Sequence, residues 1–236
     1  MTVVFSGIRG IAFSPLDFIH NPILWHDLVV KYRAHVTTAP NSSYGLLIKR
    51  LLQRKTPFDT WSFINRITSG GEAVDPTVME QVISVLAVPR SAIYIGYGLA
   101  EIALVVRLAP YFVAADGIVA CGDVEQGPSR IRIVNERKEA VQDDMVGEIY
   151  VQSPSQVALG YWKQPEETTN TFHNRIEGGE GEWLATGDLG KIIDDKLYVT
   201  GRKKEVIIIN GVNYYPVDIE RFLSQIGTKC CASLRK

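Results

Sequence analysis

Three glycine-containing turns in the sequence contain side chains that could do chemistry. Two of them, Ser69-Gly70-Gly71-Glu72 and Gly96-Tyr97-Gly98-Leu99-Ala100-Glu101, follow predicted strands, and the third is Thr186-Gly187-Asp188-Leu189-Gly190. Glycines at a strand end let the backbone approach a flat ring or a phosphate. Tyr97 could lie flat against a base, and the Glu101 carboxylate is a hard oxygen ligand suited to Mg²⁺. Asp188, placed between glycines, could accept two neighbouring hydroxyls, as a ribose presents them.

Each turn also has a purely structural interpretation that the residues alone do not exclude. The first can be a tight turn before a helix that starts at Asp75-Pro76. Tyr97 can be a core residue beside a solvated Glu101, and the segment around Asp188 can be an Asx turn, which is common. The three turns therefore become specific only through their order and spacing along the chain.

The elements around the first two turns predict an α/β arrangement. Ser14-Pro15 and Asn21-Pro22 have the cap residue and early proline typical of helix starts. Strands are predicted in HVTTAP, FINRITSGGEA and AIYIGYGLAE, with helices between them. Repeated strand–loop–helix units predict a parallel sheet covered by helices. One of these helices, SSYGLLIKRLLQR, is expected to bury a stripe made of Leu46, Leu47, Leu51 and Leu52.

The pattern changes after about residue 115. Short strands are predicted in RIRIVN, VGEIYVQS, KIIDDKLYVTG and KEVIIIN, and PEETTNTF is the helical segment between them. Gly, Asp and Pro clusters separate these strands, which predicts a β-rich, barrel-like subdomain. Pro216-Val217-Asp218-Ile219-Glu220 then predicts a new helix and a new unit.

Composition narrows the class of protein and its partners. The chain has 236 residues, and 46% of them are hydrophobic. Its formal net charge of −1 is too small to attract nucleic acid or an anionic membrane surface. Its three cysteines, with Cys230 beside Cys231, suit neither a disulfide framework nor a metal site. No apolar run approaches the ~20 residues of a transmembrane helix, and the start is not a convincing signal peptide. We therefore expect a cytoplasmic protein. The histidines show no metal spacing: His20, His26, His35 and His173.

Taken in order, these segments resemble the adenylate-forming superfamily of acyl-CoA synthetases, peptide-synthetase adenylation domains and luciferases. They are most similar to its fatty-acyl-AMP ligase branch, through SPLDFIHNPILWHDLVVKYRAHVTTAPNSSY and through Ala100 of YGLAE, where most acyl-CoA synthetases have threonine. The resemblance continues through VGEIYVQSPSQVALGYW, WLATGDLG and GRKKEVIIINGVNYYPVDIE. It covers residues 9–235.

The resemblance implies a reaction and a set of residue roles. A fatty acid would react with ATP and Mg²⁺ to give acyl-AMP, and the acyl group would pass to the phosphopantetheine thiol of an acyl carrier protein or of a polyketide or peptide synthase carrier domain. Glu101 would bind Mg²⁺, and Arg202 would act with it as a catalytic residue near ribose and phosphate. Lys204 would be the hinge, and Ala39, Pro40 and Asn41 would border the acyl pocket. The nucleotide pocket would contain Gly70, Gly71, Glu72, Gly96, Tyr97, Gly98, Leu99, Ala100, Asp188 and Arg202.

The resemblance also implies a domain division and a partial chain. Residues 1–203 would be the later part of a large N-terminal domain, with an α/β subdomain over 1–115 and a β-rich one over 116–203. Residues 204–236 would begin a small α+β C-terminal domain. The family's phosphate loop has no counterpart here, because no stretch is rich in Ser, Thr and Gly with a lysine after it. The catalytic lysine of the small domain has none either, because Lys236 lacks the surrounding motif. We expect a fragment of a longer enzyme that is inactive alone.

Two alternatives stay open from the sequence. The segment from Ile102 to Ala120 is short for the insertion that the ligase branch has after YGLAE, and that insertion is linked to rejecting coenzyme A. An acyl-CoA synthetase that uses coenzyme A is therefore an alternative. A non-catalytic remnant that binds nucleotide or a partner protein is another. The joint presence of Glu101, Asp188 and Arg202 argues against a remnant, because nothing structural requires all three.

Overall fold

The computed structural model describes residues 7–102, 105–106, 108–110, 117–124, 129–142, 144–209, 212–216, 219 and 222–223. The chain divides into two compact units. The first contains the residues up to 69 together with 77–93, and the second contains 70–76 and the residues from 94 onward. The short segment Gly70–Pro76 thus belongs to the second unit, although most of the strand before it and of the helix after it belong to the first. All three glycine-containing turns consequently have their glycines in the same unit.

The first unit alternates helices with two strands, as predicted. Helices α1 (Pro15–His20), α2 (Ile23–Tyr32), α3 (Asn41–Leu52) and α4 (Pro76–Leu86) accompany strands β1 (Val36–Thr38) and β2 (Arg66–Gly70). The hydroxyl of Ser14 accepts a hydrogen bond from the Leu16 amide at 3.2 Å, which confirms the predicted cap of α1. The strands β1 and β2 pair in parallel, from Val36 opposite Arg66 to Thr38 opposite Thr68.

Helix α3 buries a different stripe from the one predicted. Tyr44, Leu47, Ile48 and Leu51 are buried, whereas Leu52 is 61% exposed and Leu46 is only half-buried. The buried positions follow the spacing i, i+3, i+4, i+7, which is one face of an α-helix. Leu52 lies about 100° further around the helix than Leu51, so it turns towards solvent. The prediction that Leu46 and Leu52 share the buried stripe is therefore wrong.

The second unit is mainly antiparallel sheet, which confirms the predicted β-rich segment. Its five-stranded sheet has the order β5-β9-β8-β7-β6. The strands are β5 (Ala120–Asp123), β6 (Arg130–Val134), β7 (Gly147–Gln152), β8 (Leu184–Ile193) and β9 (Lys196–Arg202), and helix α5 (Pro165–Phe172) coincides with PEETTNTF. Two shorter pairs accompany this sheet: β3 (Ile93–Gly96) with β4 (Ala109–Pro110), and β10 (Ile207–Ile209) with β11 (Val212–Tyr214), both antiparallel.

The segment KIIDDKLYVTG is a hairpin and not one short strand, which corrects the prediction. Its first part ends β8 and its second part forms β9, with Ile193 opposite Lys196. Asp194 and Asp195 form the connection and have φ values of 48° and 57°. Two consecutive residues with positive φ are typical of a tight two-residue hairpin turn, and aspartate tolerates that region better than most residues.

One apolar cluster lies on a face of the five-stranded sheet and supports the turns of interest. The alternation of strands β6, β7 and β8 directs their apolar residues to this cluster. Its buried members are Tyr97, Ile102, Val105, Val106, Ile131, Ile133, Ile149, Val151, Phe172, Leu184, Ile192 and Leu197.

The predicted new helix after residue 215 is helical wherever it is described, at Pro216, Ile219, Phe222 and Leu223. Cys230, Cys231 and Lys236 lie outside the described residues, as do parts of the segment between Ile102 and Ala120. Over the described ranges, every helix is too short or too polar to cross a membrane.

Candidate functional site

The three glycine-containing turns meet at one cavity of about 710 Å³ in the second unit. The turn after β2 forms one part of its wall, the turn after β3 forms another, and strands β5, β8 and β9 contribute further residues. Every residue of the predicted nucleotide pocket lines this cavity except Gly70. The lining residues that were predicted are Gly71, Glu72, Gly96, Tyr97, Gly98, Leu99, Ala100, Glu101, Asp188 and Arg202.

Gly70 does not line the cavity, but it allows two segments of the cavity wall to approach each other. A Cβ atom at this position would lie 2.4 Å from the carbonyl oxygen of Gly96. No side chain fits at that separation, so the two turns can approach each other only because residue 70 is glycine. The structure therefore gives Gly70 a packing role, and its assignment to the nucleotide pocket stays a prediction.

The buried Asp188 carboxylate contacts two polar side chains, those of Tyr97 and Arg202. The Tyr97 hydroxyl donates a hydrogen bond to Asp188 Oδ2 at 2.6 Å, and Arg202 Nε lies 3.3 Å from Asp188 Oδ1. The Asp188 side chain is 9% exposed, whereas that of Arg202 is 60% exposed. Burial raises the pKa of Asp188, while the hydrogen bond from Tyr97 and the charge of Arg202 oppose that rise. Burial also raises the pKa of Tyr97.

A β-bulge aims Asp188 into the cavity. Between β7 and β8, Glu148 faces Leu189 and Tyr150 faces Ala185, so three residues of β8 lie opposite one residue of β7. Gly187, at the middle of the bulge, has a φ of 73°. A bulge of this kind redirects a side chain out of the normal alternation. These residues are an irregular part of strand β8, so the alternative interpretation of an Asx turn around Asp188 does not apply.

The bulge is fixed by the hydroxyl of Thr186. This hydroxyl donates to the Ile149 carbonyl at 2.8 Å and accepts from the Asp188 amide at 3.1 Å. Both bonds involve backbone groups that the bulge removes from the regular ladder. The WLATGDLG motif thus contains Thr186 and Gly187, which form the bulge, and Asp188, whose side chain the bulge directs into the cavity.

Glu101 has a partner that the sequence reasoning missed. The Tyr161 hydroxyl donates a hydrogen bond to Glu101 Oε1. Burial, followed by the bond to Glu101, raises the pKa of Tyr161 to about 12. The Tyr161 ring packs edge-on against Phe172 with 5.2 Å between ring centroids, and the Tyr161 amide donates to Thr168 Oγ1 at 2.9 Å. The signal in the sequence that could have indicated this residue is the GYW triplet, residues 160–162.

Glu101 fits the requirements of a magnesium ligand. Within the part of the chain that the structure describes, no three His, Cys, Asp or Glu side chains gather at one metal-sized site. A metal ion held by Glu101 would therefore take most of its other ligands from phosphates and water. Mg²⁺ is bound in this way at many phosphate-transfer sites.

Other cavity residues were not predicted from the sequence. Cys121 lines the wall near Tyr97, and burial raises the pKa of its thiol to about 11. The wall also contains Lys191, Thr200, Glu205 and Tyr215. Cys121, Lys191 and Thr200 come from β5, β8 and β9, so their meeting at the cavity depends on the strand order.

The remaining predicted site residues lie elsewhere. Lys204 is exposed in a short 3₁₀ turn, Lys203–Glu205, directly after Arg202. Ala39, Pro40 and Asn41 belong to the first unit, where they connect β1 to α3, and Asn41 is buried. The hinge and acyl-pocket roles stay predictions.

Comparison with known proteins shows the family to which this chain belongs. Residues 1–162 match the family described as AMP-binding enzyme. The chain therefore belongs to the AMP-binding enzyme family, and the predicted resemblance to adenylate-forming enzymes is confirmed.

Two relatives show which branches of the family are similar. The chain is 35% identical to the medium-chain-fatty-acid acyl-carrier-protein ligase JamA of Moorena producens (strain JHB), over 92% of this chain and 42% of the relative. It is 32% identical to a 4-hydroxyphenylalkanoate adenylyltransferase of Mycobacterium tuberculosis, over 92% of this chain and 40% of the relative. The chain thus spans about two fifths of the length of the curated relatives it matches.

Solved structures support the same fold. A fatty acyl-adenylate ligase from L. pneumophila, in complex with acyl adenylate and pyrophosphate, superposes with a TM-score of 0.76 at 30% identity. That match covers 86% of this chain and 40% of the ligase. The adenylation domain of a keto acid-selecting NRPS module superposes with a TM-score of 0.73 at 26% identity, over 94% of this chain and 44% of the domain.

Proposed function

We propose that this chain is part of an enzyme that activates a fatty acid with ATP as acyl-AMP. The acyl group then passes to the phosphopantetheine thiol of an acyl carrier protein or carrier domain. The observation behind the proposal is the cavity that brings together Tyr97 and Glu101 of the turn after β3, Asp188 of β8 and Arg202 at the end of β9. The names of the similar ligases support the substrate class and the carrier-protein acceptor.

The polar cluster around Asp188 suits a ribose. An ionised carboxylate has about four lone-pair sites. Tyr97 and Arg202 use one site on each oxygen, so the two hydroxyls of a ribose can bind without displacing either partner. We assign the base to the side of the cavity that Tyr97 and the glycine-containing turns form. The guanidinium of Arg202 has further N–H donors, which suit the ribose or the α-phosphate.

Adenylate formation needs stabilisation of negative charge on phosphorus. The fatty carboxylate attacks the α-phosphate, the new carboxyl–phosphate bond forms, and pyrophosphate leaves. Bound Mg²⁺ would neutralise part of the phosphate charge, and Glu101 would hold it on the protein side. Tyr161 fixes the Glu101 carboxylate by its hydrogen bond, so this ligand is oriented before ATP binds.

Further assignments belong to the same proposal. Residues 1–203 are the later part of a large domain, and residues 204–236 begin a small one, with Lys204 as the hinge. Ala39, Pro40 and Asn41 border the acyl pocket. The cysteine usage favours a cytoplasmic location for the enzyme. Coenzyme A as the acceptor is the alternative within the same chemistry.

The test is binding of a non-reactive adenylate analogue to residues 1–236. Dodecanoyl-sulfamoyl-adenosine reproduces the acyl, ribose and adenine parts, and calorimetry measures its affinity. We expect saturable binding that Asp188→Ala weakens by about a hundredfold, since two hydrogen bonds to a charged acceptor are lost. Asp17→Ala, which changes an exposed aspartate of α1, is the matched control and should bind like the parent chain. Absence of binding, or equal affinity of Asp188→Ala, would overturn the proposal.

A further inference from the structure

Glu148 connects two segments that contribute residues to the cavity, although it does not line the cavity itself. It lies in strand β7, and its side chain is 13% exposed. Its Oε1 accepts a hydrogen bond from the Gly187 amide at 3.2 Å, and its Oε2 accepts one from Lys203 Nζ at 2.8 Å. Gly187 precedes Asp188, and Lys203 follows Arg202. The Glu148 carboxylate thus contacts the residue before Asp188 and the residue after Arg202, which are the two charged residues of the proposed ribose site.

The first bond of Glu148 stabilises the bulge. The Gly187 amide lies where the β7–β8 register shifts, so the regular ladder offers it no partner there. Glu148 supplies that partner from the neighbouring strand. The Thr186 hydroxyl holds the next amide, that of Asp188. The direction of the Asp188 side chain therefore depends on these two side-chain bonds.

The second bond of Glu148 holds the end of β9. Arg202 is the last residue of β9 and lies opposite Asp188 in the β8–β9 register. Lys203 begins the 3₁₀ turn that follows. Its hydrogen bond with Glu148 raises the pKa of Lys203, as expected for an ammonium in an ion pair. The ion pair opposes movement of the chain directly after Arg202.

We propose that Glu148 is a positioning residue for the nucleotide site, which orients Asp188 through the Gly187 amide and Arg202 through the Lys203 ammonium. The inference rests on the proposed function, because its consequence is recognition of a ribose. A residue that is only structural would change the stability of the fold and the affinity for every ligand alike. A positioning residue changes the part of the affinity that the ribose hydroxyls supply.

The experiment compares two ligands on residues 1–236: dodecanoyl-sulfamoyl-adenosine and its 2′,3′-dideoxy counterpart. The ratio of their affinities measures recognition of the two hydroxyls. Glu148→Ala removes both bonds and should lower that ratio about tenfold or more. Glu148→Gln keeps an acceptor for Gly187 but loses the charge opposite Lys203, so it should lower the ratio only about threefold. Lys203→Met removes the ammonium and keeps the apolar stem, and it should match Glu148→Gln.

The matched control is Glu80→Gln. Glu80 forms an ion pair with Arg90 at 2.7 Å in the first unit, and neither residue lines the cavity. Its substitution should leave the affinity ratio unchanged. Thermal unfolding of every variant shows whether the fold is retained, and if Glu148→Ala does not fold, Glu148→Gln and Lys203→Met decide the question.

The outcomes separate the two proposals. A parent chain that binds neither ligand, or binds both equally, overturns the proposed function. A parent chain that prefers the ribose form, with Glu148→Gln and Lys203→Met retaining the full ratio, overturns the positioning role of Glu148 alone. A lowered ratio in both, with Glu80→Gln unchanged, supports it.

Discussion

Replacement of Gly70 by alanine tests whether the first glycine-containing turn is held by packing. A Cβ at residue 70 would lie 2.4 Å from the Gly96 carbonyl oxygen and 3.2 Å from its carbon. Non-bonded heavy atoms are optimally about 3.5 Å or more apart. The turn and the end of β3 would therefore have to separate by about 1 Å.

The size of the effect follows from what must move. Overpacking costs typically 1–3 kcal/mol, and values are lower where a side chain can rotate away. Here the clashing atoms are backbone, so we expect about 3 kcal/mol. For a chain of this size each kcal/mol lowers the unfolding temperature by roughly 2–4 °C, which predicts a decrease of about 6–12 °C. Gly71 and Glu72 would shift with the turn, so affinity for the adenylate analogue should fall as well.

Calorimetric or circular-dichroism melting of residues 1–236 measures this decrease. The matched control is Gly45→Ala in helix α3, where the new Cβ would lie 3.5 Å from Val78 Cγ2, an ordinary contact. Alanine is preferred to glycine inside a helix by about 1 kcal/mol, so this variant should melt a few degrees higher. A Gly70→Ala chain that melts within about 2 °C of the parent would refute the reasoning, because that shift is less than 1 kcal/mol.

Three further predictions address the site. In a complete enzyme that contains this chain, Glu101→Gln should leave ATP binding measurable but slow adenylate formation by about a hundredfold or more, because one metal carboxylate is lost; pyrophosphate release at the parent rate under limiting Mg²⁺ would contradict the assignment. Burial raises the pKa of Asp188 above its unfolded value, so its favourable contribution is complete below the unfolded pKa and is lost as pH rises through the folded pKa. Asp188→Asn should therefore gain free energy of unfolding relative to the parent as pH rises above about 4 in urea titrations, and a difference that is independent of pH would show that the Asp188 pKa is not raised. The Cys121 thiol, with a pKa of about 11, should react with iodoacetamide at pH 8 roughly a hundredfold more slowly than free cysteine; rapid labelling of the peptide that contains Cys121 would contradict its burial.

The sequence by itself determined the local elements and the identities of the polar residues. Ser14-Pro15 marks the start of α1, Asp75-Pro76 that of α4, and PEETTNTF coincides with α5. Caps, prolines and apolar periodicity act within a few residues, so their effect can be predicted without knowledge of the fold. The three glycine-containing turns were identified for the same reason, since glycine and its polar neighbours are visible in one short window.

Only the tertiary structure decided which of these residues meet and what each one contacts. Tyr97 and Asp188 are 91 residues apart, Tyr161 and Glu101 are 60 apart, and Glu148 and Lys203 are 55 apart. Such pairs depend on strand order and register, and a shift of one residue in register would turn each side chain to the other face of the sheet. The bulge that redirects Asp188 and the close approach that requires Gly70 arise in the same way, from how two separate segments of backbone pack against each other.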